Sequence, residues 1–156
     1  MKKILALPLL FVALIAGSGT VHAAPPTSGD DSGTLPGGVY CDFDVAYTLT
    51  GKTKTIVNGD VKTITSPGQK ITLTNVSDPQ KSVSYVITGV RREVTTGDII
   101  ETVVTGRNIV INDPDSERQG IYVLVGDFNY AITTGFKEYR VFSGAGQVID
   151  VCAALS

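Results

Sequence analysis

Residues 41–50 read CDFDVAYTLT, and apolar and polar side chains largely alternate along them. One parity is apolar throughout: Cys41, Phe43, Val45, Tyr47 and Leu49. Because successive side chains of a β-strand point to opposite faces, this period of two predicts a half-buried strand. The pattern also places the sulfur of Cys41 on the core side of that strand.

Short runs of the same kind follow along the rest of the chain, rich in Val, Ile and Thr and separated by Gly, Asp and Pro. The clearest is KTKTIVNGDVKTIT, residues 52–65, where Asn58-Gly59 separates two threonine-rich segments and predicts a hairpin. No window after residue 23 has a sustained helical period. About nine or ten short strands are therefore expected, in an all-β antiparallel two-sheet sandwich or, as the alternative, a small closed β-barrel.

The first 23 residues have the features of a secretory signal peptide. Lys2 and Lys3 precede an apolar run over 4–16, and small residues end the segment at Ala23. A basic head, an apolar run shorter than a membrane span and small residues at the cleavage point are typical of such signals. We therefore predict cleavage of 1–23, a secreted extracellular protein, and no membrane association after cleavage.

Cleavage changes which chemistry the chain can support. The only histidine, His22, leaves with the signal, and the sequence has no tryptophan. The predicted mature chain carries 13 − 2 = 11 basic and 15 acidic residues, a net charge of 11 − 15 = −4. Without histidine, a Ser-His-Asp triad and a histidine-ligated zinc site are excluded. The acidic balance argues against nucleic acid as a partner, and no motif indicates a cofactor.

Residues 24–38, APPTSGDDSGTLPGG, are mainly Pro, Gly, Ser, Thr and Asp. Such a segment buries too little apolar surface to offset the entropy of ordering it, so we expect a flexible leader. The remaining residues, 39–156, have the length of a single β domain.

The two cysteines, Cys41 and Cys152, lie near the two ends of this domain. In an exported chain an even cysteine count predicts a disulfide. The bond is expected to join the first strand to the last and to span 152 − 41 = 111 residues. The alternative, a reactive thiol pair, lacks both a Cys-x-x-Cys spacing and a histidine to activate a thiolate.

The loop NDPDSERQG, residues 112–120, is the most concentrated acidic feature. Asp113, Asp115 and Glu117 alternate there and offer oxygen ligands of the kind that calcium prefers. The loop departs from the EF-hand pattern, since Arg118 stands where that pattern has its glycine. A solvated Asp-Pro-Asp turn is the simpler interpretation, so we expect no metal site and no response to calcium.

Charged residues on the predicted strands are the other candidates for a site. Arg91 and Arg92 are adjacent and therefore point to opposite faces unless they sit at a bulge; one is a candidate anion contact, and an ion-paired surface arginine is the simpler interpretation. Glycan hydrolysis needs two carboxylates at a set separation in space, which the sequence does not give. The candidates are Glu93, Asp98, Glu101, Asp127 and Glu138.

Four segments, YCDFDV, KITLTNVSDPQKSVSYVITG, TGRNIVIND and the terminal CAALS, resemble small secreted β-rich proteins of actinobacteria whose function is unassigned. The resemblance covers nearly all of 39–156. It implies secretion, a β-rich fold and pairing of Cys41 with Cys152, and it supplies no active site.

Two functional hypotheses follow. The first is a secreted, non-catalytic binding or structural module for an extracellular protein, a wall polymer or a small ligand. The alternative is a small extracellular enzyme that uses carboxylates to act on glycans. Two carboxylates leaning into one cleft would favour the enzyme.

Overall fold

The computed structural model describes residues 25–156, which form twelve strands and one short helix. The strands are β1 Thr27–Ser28, β2 Asp31–Leu35, β3 Val45–Thr50, β4 Lys52–Asn58, β5 Val61–Thr65, β6 Lys70–Asn75, β7 Ser82–Val86, β8 Val90–Thr96, β9 Ile99–Thr105, β10 Arg107–Asn112, β11 Gly120–Thr133 and β12 Glu138–Asp150. The helix is α1, Val151–Ala154, and none of the described residues forms a helix that could cross a membrane. The predicted all-β class and the two antiparallel sheets are confirmed. The predicted signal peptide lies outside the described residues.

The smaller sheet has the strand order β2-β3-β6-β7, and the larger sheet begins β1-β4-β5-β8-β9-β11. β9 and β10 lie end to end along one edge of β11. Val104 pairs with Phe128 and Arg107 with Val125, so the register continues unbroken from β9 into β10. β12 pairs with the opposite edge of β11. The long strand β11 is therefore the centre of this end of the larger sheet.

The predicted hairpin over 52–65 is confirmed, with its turn one residue later than expected. Asn58 pairs with Val61, so Gly59 and Asp60 are the two turn residues. Gly59 has a φ of +57°, which glycine adopts without the steric cost that a Cβ would bring. A second Gly-Asp turn, at Gly97, joins β8 to β9 in the same way.

Sequence reasoning placed no strand before Val39, and the structure places two there. β1 pairs with β4, and all five residues of β2 pair with β3. Leu35 packs against the core, and the hydroxyl of Tyr47 donates a hydrogen bond to Asp31 Oδ2 at 3.0 Å. Composition alone missed this because backbone pairing to an existing edge supplies order that a polar segment cannot generate by itself.

The Cys41–Cys152 disulfide is confirmed, with a Cα–Cα distance of 5.4 Å. The prediction that the two cysteines lie within strands was wrong. Cys41 is buried in the turn that precedes β3, and Cys152 lies in α1, directly after β12. The helix forms because the Asp150 side chain accepts a hydrogen bond from Ala153 N and the turn buries Leu155 completely.

The two sheets pack together through alternate residues of their facing strands. Val45 and Leu73 of the smaller sheet share one buried cluster with Ile121 and Val123 of β11, and Val151 of α1 completes it. All five side chains are fully buried. We call the side of β11 that carries Ile121 and Val123 its inner face, since it faces the smaller sheet.

The opposite side of β11 is buried as well, although no second sheet covers it. Leu124 and Phe128 of β11 form a separate cluster with Val104 and Phe142. A sheet face with no layer on it can bury its side chains by folding over itself. We call this side the concave face.

A row of three glycines lies where the larger sheet folds. Gly126 pairs with Gly146 on β12, and Gly126 N donates a hydrogen bond to the Gly106 carbonyl at 2.9 Å. Their φ angles are +75°, +129° and +147° for Gly106, Gly126 and Gly146, a region that L-residues with a Cβ rarely adopt. A Cβ on Gly126 would collide with the Ala145 carbonyl oxygen. We call these three glycines the corner row, because glycines within paired strands allow the sheet to bend sharply.

Candidate functional site

The bend encloses the largest cavity in the described part of the chain, about 370 Å³ in volume. Arg91 of β8 and Ile111 of β10 both line it. Arg91 is in register with Val104, which pairs with residue 128, and Ile111 pairs with residue 121. These positions on β11 are 128 − 121 = 7 residues apart, or about 23 Å along a straight strand. The two side chains meet at one cavity only because the sheet folds at the corner row, so we call it the corner cavity.

The inner end of the corner cavity presents a cation. Arg91 is partly buried, and its Nε lies 2.9 Å from Oε1 of Glu93. This is an ion-pair distance, but the N–H bond does not point at the carboxylate, and Nε is left without a hydrogen-bond partner among residues 25–156. Glu93 is also paired to Lys62 Nζ at 3.2 Å. The carboxylate is shared between two cations, which leaves the Arg91 guanidinium with donor capacity toward the cavity.

Tyr130 stands beside Arg91 in the cavity wall. Burial raises the pKa of its phenol above the ordinary 10.0, and the Glu93 carboxylate adds to the shift, while Arg91 and the neighbouring Thr102 act against it. The hydroxyl is therefore protonated at neutral pH and able to donate a hydrogen bond. The inner end of the cavity thus carries two kinds of donor, a guanidinium and a phenol.

The mouth of the corner cavity is aromatic. Phe136 lies in the turn between β11 and β12, is 73% exposed, and has a φ of +62°. It has the only positive φ of any described residue other than glycine, a conformation that costs free energy in a residue with a Cβ. Deeper in, the buried ring of Phe142 lies 5.4 Å from the ring of Tyr122 and carries the guanidinium of Arg118 at 4.9 Å on its face.

Only one of the five carboxylates predicted for glycan chemistry lines this cavity. Glu138 does so, and its Oε1 accepts a hydrogen bond from the Glu117 backbone N–H at 3.0 Å. Glu93 is ion-paired as described, and Glu101 is ion-paired with Arg140. Asp98 lies in the β8–β9 turn and Asp127 on β11, and neither contributes to the corner cavity.

The acidic loop between β10 and β11 contributes differently from its predicted role. Asp113 lines the corner cavity at its exposed side. Asp115 and Glu117 do not line it, and no group of three or more potential metal ligands is found among residues 25–156. The three side chains are therefore not gathered into one site, and the expected indifference to calcium stays a prediction.

Two further cavities lie near β10. One, of about 220 Å³, is an almost wholly apolar groove between β10 and the smaller sheet, where Leu49, Ile71 and Leu73 line it. The other, of about 270 Å³, lies on the far side of Arg91 and includes Gln69. Neither combines an aromatic mouth with polar donors, so the corner cavity is the stronger candidate.

Sequence reasoning identified part of this site. Arg91 was a candidate anion contact and Glu138 a candidate carboxylate, whereas Tyr130 and Phe136 carried no signal beyond being aromatic. The corner row could have been noticed, since a glycine inside a strand pattern indicates a bend or a close backbone approach. Its effect depended on a pairing that the sequence does not show.

Comparisons of the chain with protein-family models, with curated proteins and with solved structures gave no match. The functional argument therefore rests on the geometry of the corner cavity.

Proposed function

We propose that this protein is a secreted, non-catalytic binding module that holds a small organic ligand in the corner cavity. The ligand has an apolar body and a carboxylate at one end. The observation that carries this proposal is the partly buried Arg91 guanidinium, which lines the cavity with donor capacity to spare.

Secretion is supported by two independent features. The first 23 residues have the composition of an export signal, and the chain contains a disulfide, which persists in oxidising compartments. A single crosslink is of most use to a small domain that works outside the cell.

The carboxylate end of the ligand follows from the donors at the inner end of the cavity. Arg91 and the protonated Tyr130 both donate, and a carboxylate has two oxygens that accept. The other guanidinium of the lining, that of Arg140, is neutralised by Glu101. The carboxylates of the lining, Asp113 and Glu138, lie toward the mouth, where water solvates them or a backbone N–H binds them.

The apolar body of the ligand follows from the walls and the volume. Ile111, Ile132, Phe136 and Phe142 line the space between the donors and the mouth. The volume lies at the lower end of the roughly 300–1,000 Å³ that small-molecule sites occupy. A medium-length alkyl or aromatic acid therefore fits better than a polymer segment.

Calorimetric titration with three amphiphiles tests the proposal. Dodecanoate should bind, while dodecanol should bind more weakly and dodecyltrimethylammonium should not bind measurably. Arg91→Gln should weaken dodecanoate binding by about ten- to a hundredfold, the worth of a charge-assisted hydrogen bond. Arg92→Gln is the matched control, because Arg92 is exposed on the opposite face of the same strand.

Two outcomes would overturn the proposal. If none of the three amphiphiles binds, the corner cavity is not a site for such ligands. If Arg91→Gln and Arg92→Gln bind dodecanoate equally well, the guanidinium does not recognise the carboxylate.

One observation favours a carboxylate-dependent glycan-acting enzyme as the second candidate. Asp113 and Glu138 line the same cavity, as a pair of catalytic carboxylates would. Release of reducing sugar from soluble glycans, lost in both Asp113→Asn and Glu138→Gln, would support the enzyme. Equal release by the wild type and both variants would remove it.

A further inference from the structure

The outer edge of β12 is a second feature that the corner cavity does not explain. β12 is 13 residues long and pairs with β11 along one side. Within residues 25–156, no strand pairs with its other side. The outward N–H and C=O groups of β12 are therefore free to pair with another strand.

This edge lacks the usual protection against strand pairing. Natural proteins guard edges with charged residues, proline or short length. Between Arg140 and Asp150, the segment 141–149 of β12 contains no charged residue and no proline. The edges of the smaller sheet, β2 and β7, are only five residues long. The long, uncharged edge of β12 is thus suited to pairing rather than to exposure.

The shape of the edge restricts what can pair with it. Gly146 belongs to the corner row, so β12 bends where the sheet folds. A straight strand would lose its register at the bend. A strand that bends at the same place, with glycine at the matching position, can follow it.

We infer that the protein forms a symmetric homodimer in which β12 of one copy pairs antiparallel with β12 of a second copy. The two-fold axis passes through Ala145. This register sets Gly144 of one copy opposite Gly146 of the other, so the corner row continues across the interface. Both copies bend toward the same side of the shared sheet, because a two-fold axis perpendicular to a sheet preserves its faces.

The side chains along the edge match in this register. Phe142 lies opposite Val148 of the second copy, and Ser143 lies opposite Gln147. Apolar groups thus meet apolar groups and polar groups meet polar groups, which stabilises cross-strand pairs. The Arg140 end of each strand lies alongside the Asp150 end of the other, so the flanking charges are of opposite sign.

Sedimentation of the chain over 24–156 gives the first test. The wild type should sediment at twice the monomer mass at high micromolar concentration. Ala145→Lys should be monomeric, because it brings two like charges together at the axis. Val57→Lys is the matched control, since Val57 is an exposed strand residue on β4 and its substitution should leave the dimer intact. Circular dichroism confirms that each variant is folded.

Disulfide trapping tests the register itself. A mixture of Ser143→Cys and Gln147→Cys chains should form a covalent heterodimer on oxidation, because these positions face each other. Either variant alone should crosslink poorly, since residues 143 of the two copies lie about 13 Å apart along the strands. A monomeric wild type, or crosslinking that is equal in the mixture and in the single variants, would overturn the inference.

Discussion

Arg91 and Arg92 show how much one residue's role depends on the face it occupies. The period of two indicates that neighbouring strand residues point to opposite faces, and the structure bears this out. Arg91 reaches the corner cavity, while Arg92 is exposed on the other side. The sequence could not tell which of the two faces becomes concave, because that depends on a bend made by glycines on other strands.

Tyr130 should make the protein sensitive to alkali. Burial raises the pKa of its phenol in the folded state, so the unfolded chain loses this proton first as the pH rises. The stabilisation from a protonated Tyr130 is complete below the ordinary pKa of 10.0 and is lost as the pH rises through the higher folded value. The urea midpoint of the wild type should therefore fall between pH 8 and pH 11, and that of Tyr130→Phe should fall less.

The control for this prediction is Tyr139→Phe, which removes a 63% exposed tyrosine from β12 and should leave the wild-type decline in place. Some decline should remain in Tyr130→Phe, because burial also raises the pKa of Tyr122. Equal declines in Tyr130→Phe and the wild type would contradict the assignment.

Phe136 should trade stability for binding. Its left-handed backbone costs free energy, and its mostly exposed ring recovers little by burial. Phe136→Gly should therefore leave the melting temperature unchanged or raise it, because glycine adopts this φ freely. The same substitution removes the ring from the cavity mouth and should weaken dodecanoate binding several-fold in calorimetry. A large loss of stability with unchanged binding would show that the ring serves the fold and not the site.

At the scale of the element, the strands were largely predictable and their bending was not. Alternation, β-branched composition and the Gly-Asp turns located most of β3 to β12. The strands β1 and β2 were missed because a polar segment gains its order from the edge it pairs with. Gly106, Gly126 and Gly146 are twenty residues apart along the chain, and they form a row only after β10, β11 and β12 have paired.

Substitution within the corner row should be costly. Gly126→Ala would place a methyl group against the Ala145 carbonyl oxygen at a φ of +129°. We expect a loss of about 2 kcal/mol or more in the free energy of unfolding, measured in urea, since both overlap and backbone strain contribute. Gly135→Ala is the control: a Cβ there would meet nothing closer than 3.7 Å, so the change should stay within about 0.5 kcal/mol. Similar stabilities for the two variants would contradict the role given to the row.

At the scale of the whole molecule, the disulfide ties the turn before β3 to the helix after β12 and closes 111 residues between them. The pairing was predictable because only two cysteines exist in an exported chain. Their placement outside strands was not, since it depends on the C-terminal turn that buries Leu155.

Removal of this crosslink should cost about 2–5 kcal/mol in Cys41→Ala. The double variant Cys41→Ala/Cys152→Ala should be no less stable than either single variant, because both substitutions remove the same bond. Urea unfolding of the three variants measures this. Strictly additive losses would mean that each cysteine stabilises the fold independently of the other.

The central claim, that the concave side of the bent sheet is the binding site, is tested most directly by amide chemical shifts during a dodecanoate titration. The shifts should concentrate at Arg91, Val110, Tyr130 and Phe136, which belong to different strands and turns and share only the corner cavity. Shifts concentrated instead at Leu49, Ile71 and Leu73, which line the apolar groove between the sheets, would place the ligand elsewhere and contradict the account.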